Sequence, residues 1–205
     1  IFALRRRNLA GVGDPLTTGQ VAPADVLLTL ANGDVVAGGR FSRAGGVPAS
    51  CVARWNGTTW ALVSSTGPSA REGVALAWDP GFMGGRLMLF GGIGNSGNRA
   101  DTLAWDGAAW STVSLSASPS GRVFHDMIYS PTLGKVLLFG GSTGGSASAT
   151  FFSDTWVFDR TAWTQLTPST VPGARNGHAM EFDPTRNRVM LLSGYNGTSV
   201  FGDQW

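Results

Sequence analysis

A chain of 205 residues with 30 glycines, 8 tryptophans and only 14% charged residues reads as short buried strands joined by many tight turns, and excludes a helical protein, which would need more Glu, Lys and Gln. Its 15 basic and 13 acidic residues leave a formal charge of +2, and Arg5-Arg6-Arg7 is the one basic run, so composition argues against a nucleic-acid partner. The single Cys51 rules out an internal disulfide or a thiolate metal site, and apolar runs of about six residues ending at glycine are too short for membrane insertion.

Residues 1–21 carry a candidate strand at 4–12, and four units of similar length follow. The first unit, 22–65, is expected to form strands at 26–30, 34–37, 50–55 and 59–63, with turns at Asn32-Gly33 and Asn56-Gly57. The second, 66–115, places strands at 73–78, 86–90, 101–105 and 109–113, broken by Asp79-Pro80-Gly81 and Asp106-Gly107. Both are strong turn formers because Pro presets φ and Gly accepts positive φ. The third, 116–168, gives strands at 123–130, 135–139, 154–159 and 162–166, with a long Gly/Ser loop at 140–150. The fourth, 169–205, is incomplete: 177–182, 188–192 and 201–205.

The units share a register. Gly38, Gly91, Gly140 and the aligned Ser193 each close a second strand at spacings of 53, 49 and 53 residues; Trp60, Trp110 and Trp163 mark the fourth strands, and Arg71, Arg122 and Arg175 precede the first. A period near fifty residues is the mark of a repeat architecture. The second strands, such as Val136-Leu137-Leu138-Phe139, are apolar without alternation, as expected of strands covered on both faces by neighbouring sheets.

These residues resemble kelch repeats over roughly 66–205. In the third unit the resemblance rests on Arg122, His125, Gly140, Gly141, Asp154 and Trp163, and in the fourth on Arg175, His178, Gly194 and Asp203. The second unit carries Arg71, Gly91, Gly92, Asp101 and Trp110, with Val74 in place of the histidine. The first unit lacks the leading arginine and is more similar to the propeller repeats of large secreted bacterial proteins. The resemblance implies an all-β fold, a β-propeller of four-stranded antiparallel blades. With about four blades present, residues 1–21 supply either the closing strand of a four-bladed ring or the end of a preceding blade in a larger propeller.

The candidate ligand-binding residues are Arg71, Arg122 and Arg175, expected near one mouth of a central channel, together with His125 and His178. A ring of guanidinium groups suits an anionic ligand, while the alternative is that each arginine ties a loop to neighbouring backbone or to an Asp. Asp101, Asp154 and Asp203 read as loop caps forming Asx turns. No catalytic residue, metal site or cofactor is expected.

The expected function is a non-enzymatic scaffold, extracellular or at the cell surface, that presents loops such as 92–100 and 142–153 to a protein or glycan partner. Two alternatives are a carbohydrate-active enzyme whose arginine-lined pocket holds an acidic sugar, and an architectural domain of a larger surface assembly.

Overall fold

A computed structural model describes residues 24–49, 51–64, 67–144 and 148–205; the strand expected at 4–12 lies outside them. Every regular element among the described residues is a strand, so no helix is long and apolar enough to cross a membrane.

The first unit comprises β1 (Ala24–Thr29), β2 (Val35–Gly39), a small hairpin of β3 (Arg43–Ala44) and β4 (Val47–Pro48), then β5 (Val52–Trp55) and β6 (Trp60–Leu62). The second comprises β7 (Ala75–Asp79), β8 (Arg86–Phe90), the hairpin of β9 (Ile93–Gly94) and β10 (Gly97–Asn98), β11 (Thr102–Trp105) and β12 (Trp110–Thr112). The third is β13 (Asp126–Ser130), β14 (Lys135–Phe139), β15 (Thr155–Phe158) and β16 (Trp163–Leu166), and the fourth is β17 (Ala179–Asp183) and β18 (Arg188–Leu192). Three of these units form four-stranded sheets in which strands follow chain order, all antiparallel. The last unit departs from expectation. Residues 201–205 do not form a strand; they meet β18 through the Leu192–Gln204 bridge and a reciprocal pair of Leu191–Trp205 backbone hydrogen bonds at 3.0 and 3.1 Å.

The turns between strands are closed by side chains. Asn56, Asp106 and Asp159 each accept backbone N–H groups two and three residues on, at 2.8–3.0 Å, and Asp183 does the same before β18 at 2.9 and 3.1 Å. A short carboxylate or amide mimics the missing backbone acceptor of a turn, so the Asx chemistry sits at these hairpins and not at Asp101, Asp154 or Asp203.

The unalternating second strands are explained by packing. On β8, Leu87 and Leu89 join Val26, Val36 and Val52 of the first sheet, whereas Met88 and Phe90 face Met127, Val136, Leu138 and Phe158 of the third. On β14, Phe139 turns the other way, against Met180 and Leu191 of the fourth unit. Each such side chain is apolar because either pleat face meets a neighbouring sheet, and full burial stabilises by about 1.5–3 kcal/mol per residue. Trp163 spans one of these seams, its indole N–H donating to Thr102 Oγ1 at 2.9 Å. Arg160 crosses the same seam to the wholly buried Asp79 at 2.8 Å. The first strands β1, β7, β13 and β17 neighbour one another in that order and form an inner row shared by the four units.

Candidate functional site

The second, third and fourth units hold their leading arginine by one scheme, fullest in the last two. Arg122 Nη1 donates to Gly140 O at 3.0 Å and to Asp154 Oδ1 at 2.6 Å, Nη2 donates to Asp154 Oδ2 at 2.9 Å, and Nε donates to Ser120 O at 3.0 Å. Arg175 repeats the pattern with Ser193 O at 2.9 Å, Asp203 Oδ1 and Oδ2 at 2.5 and 2.7 Å, and Gly173 O at 2.9 Å. The guanidinium carbons lie 4.2 Å above Phe152 and 3.9 Å above Phe201. Arg71 has a thinner version: Asp101 Oδ1 at 2.6 Å, Gly91 O at 3.1 Å and Ser69 O at 3.1 Å, with Arg99 where the other repeats carry phenylalanine. The side chains of all three arginines are at most 3% exposed. A planar fork of fixed donors matches a carboxylate plus a carbonyl in one plane, which lysine cannot do.

The electrostatics follow from this geometry. Burial pushes the Asp154 carboxyl upward, but hydrogen bonds from Arg122 and from the Trp156 indole outweigh it, and the net shift is below the ordinary carboxylate value. Asp203 is held far below that value by Arg175 and then by the Trp205 indole. In contrast, burial pushes the Cys51 thiol up to about 12 against the pull of Arg71, so this cysteine is a small core residue and not a thiolate nucleophile.

His125 and His178 are 2% and 0% exposed. Each ring stands edge to face with a phenyl of the preceding repeat, His125 with Phe90 at 5.5 Å and His178 with Phe139 at 5.3 Å. Val74 occupies the same place in the second repeat, packed over Gly38 as the histidines pack over Gly91 and Gly140. Among the described residues, no group of three or more His, Cys, Asp or Glu is placed to hold a metal ion.

A cleft of about 410 Å³ opens where the inner strands of the four units converge. A row of hydrogen bonds crosses the units here: Gly73 N–H donates to Asp25 Oδ2 at 2.7 Å, Phe124 N–H to Gly73 O at 2.9 Å, and Gly177 N–H to Phe124 O at 2.8 Å. Asn176 and Tyr195 exchange backbone hydrogen bonds at 2.9 Å, which sets Tyr195 beside the row. Asp25, Phe124, Asp126, Asn176 and Tyr195 all reach the lining, as does His125, whereas Arg71, Arg122 and Arg175 do not. The arginines expected at the mouth of a channel are therefore placed inside the walls.

Phe124 escapes a reading based on matched residues because its repeat partners are glycines. Its φ of 55° matches 68° at Gly73 and 64° at Gly177. The left-handed region carries a steric penalty for any residue with a Cβ. The available signal is the contrast of Arg71-Glu72-Gly73 and Arg175-Asn176-Gly177 with Arg122-Val123-Phe124.

No family model matches the chain. Over 82 residues it is 33% identical to Mei4-dependent protein 6 of Schizosaccharomyces pombe, a match covering 39% of this chain and 11% of that protein. Over 126 residues it is 32% identical to Adagio-like protein 3 of Oryza sativa subsp. japonica, covering 57% of this chain and 19% of that protein. The chain thus matches about a tenth to a fifth of the length of these curated relatives.

Proposed function

We propose that the chain is a run of kelch-type β-propeller blades serving as a non-enzymatic binding scaffold for a protein or glycan partner. The observation that carries this reading is the division of labour within each repeat. In the second to fourth units Arg–Asp clamps tie the strands into a repeating frame and an equivalent ladder pair opens each connection between second and third strands, Ile93–Asn98, Ser142–Phe151 and Tyr195–Val200, while the tips beyond that pair, 94–97, 143–150 and 196–199, differ in length or sequence, as does the β3–β4 hairpin of the first unit. Two of these connections touch, since Asn98 Nδ2 donates to Thr143 O at 2.7 Å, so they offer one composite surface. Variable loops on a rigid frame are a common recognition device.

The test is selection of binders from a displayed peptide library and a glycan array, repeated with the segments 95–98 and 148–151 replaced by Gly/Ser. Binders lost on loop replacement, with melting unchanged, are expected. A selected binder indifferent to both replacements would overturn the loop assignment.

A further inference from the structure

We infer that the inner cleft binds a guanidinium group, presented as an arginine side chain of a partner polypeptide. This deepens the scaffold reading and rests on it. The lining brings together two carboxylates, Asp25 and Asp126, two aromatic rings, Phe124 and Tyr195, and no Lys or Arg. That is the opposite charge preference to the anion site which the leading arginines would make if they faced an opening.

The protein shows what such a set of groups does. Twice within its own frame it holds a guanidinium with an Asp carboxylate, a backbone carbonyl and the face of a phenylalanine, at Arg122–Asp154–Phe152 and at Arg175–Asp203–Phe201. Stacking on a ring and pairing with a carboxylate are how arginine is recognised in general. The cleft offers the same kinds of group to an incoming side chain. Asp25 Oδ2 accepts the Gly73 N–H and the Phe124 backbone N–H donates to Gly73 O, and Phe124 Cδ1 lies 3.3 Å from where a Gly73 Cβ would sit, so a carboxylate and a phenyl both stand beside Gly73. Asp126 adds a second negative charge, anchored by the N–H groups of Met127 at 2.9 Å and Met180 at 2.6 Å. Tyr195 is 42% exposed at the edge of the cleft, and a volume of about 410 Å³ falls in the range of small-ligand sites.

Phe124 supports the assignment independently. Its backbone conformation is one that glycine adopts at the matched positions, so backbone strain favours glycine there, and the phenyl stands against that preference.

The experiment is an NMR titration of the full 205-residue chain with three probes: a capped glycine peptide carrying one arginine, the same peptide with citrulline, and ethylguanidine. The expected result is saturable shifts at the amides of Gly73, Phe124 and Gly177 with the arginine peptide, none with citrulline, and weaker binding of ethylguanidine. Asp25→Asn keeps an acceptor for Gly73 N–H and is expected to weaken the arginine peptide about tenfold at unchanged melting temperature. Phe124→Gly is expected to abolish the shifts at Gly73 and Gly177 while the melting temperature holds or rises. Equal response to citrulline, or full affinity in Asp25→Asn, overturns the guanidinium assignment; ethylguanidine binding as tightly as the peptide overturns the polypeptide source. A silent cleft beside intact loop-dependent binding removes this inference and leaves the scaffold standing.

Discussion

Arg122 and Asp154 stand 32 residues apart in the chain and meet through two hydrogen bonds of 2.6 and 2.9 Å, so the pair closes the third repeat from its first strand to its third. Removing the arginine leaves the half-buried Asp154 and the buried Gly140 O short of a donor, a loss of about 3 kcal/mol. Arg122→Ala is therefore expected to lower the urea midpoint, and Arg122→Lys is expected to recover little, because one ammonium cannot span carboxylate and carbonyl together. Arg71→Ala should cost about half as much, since Arg71 reaches only one oxygen of Asp101 and no ring among the described residues lies beneath it. Equal losses at the two sites, measured by chemical denaturation, would mean that the second oxygen and the phenyl contribute nothing.

The glycines that end each second strand are tested by a matched pair of alanines. Gly134 and Gly140 share a positive φ, 63° and 62°, but a Cβ at Gly134 meets nothing within 4 Å, whereas at Gly140 it lies 2.7 Å from Arg175 O and 3.0 Å from His178 Cε1. Gly134→Ala should cost about 1 kcal/mol from backbone strain alone. Gly140→Ala should cost roughly 3 kcal/mol or more, because the clashing carbonyl also accepts the Gly141 N–H at 2.8 Å and cannot withdraw. Adding His178→Ala to Gly140→Ala is expected to give no rescue; a double variant more stable than the single one would show that the ring, and not the carbonyl, sets the cost.

How far the molecule could be read from its letters depended on whether a residue's role was local. The repeat of apolar run and glycine located β2, β8, β14 and β18 almost to the residue, because burial on both faces leaves the same mark wherever it occurs. Spacing marks the arginines as equivalent, but their surroundings depend on the direction in which each side chain turns, and spacing carries no such information. Asp154 and Asp203 were visible as recurring residues, yet their partner is a guanidinium roughly thirty residues away and not the adjoining turn. Phe124 shows the opposite limit. Its importance lies in a φ angle imposed by hydrogen bonds from two other repeats, and one repeat cannot reveal that. Residues 201–205 match the third strands in repeat position, but they hold only one bridge to β18 and have no fourth strand beyond them among the described residues.

The response to acid follows from carboxylates whose folded pKa values lie below their ordinary 3.8. Asp159 is drawn down to about 2, first by the Thr161 hydroxyl and then by the N–H groups of Ala162 and Thr161. Asp203 is lowered chiefly by Arg175, and Asp154 is lowered by Arg122 and Trp156 against the cost of burial. A group with a depressed folded pKa releases its proton more readily in the native state, so its contribution is fully present above the unfolded value and is lost as pH falls through the folded one. The melting temperature is thus expected to be insensitive to these three groups from pH 7 down to about 5, to decline as pH drops below 3.8, and to keep falling through pH 2. Asp159→Asn should retain the turn, since an amide oxygen accepts the same three hydrogen bonds, and should flatten the part of the decline between 3.8 and 2. Asp203→Asn should flatten the acid end of the decline, at the expense of a lower melting temperature at pH 7. Calorimetric scans of both variants at half-unit steps check this, and a decline of unchanged slope in either variant would assign the acid sensitivity to other groups.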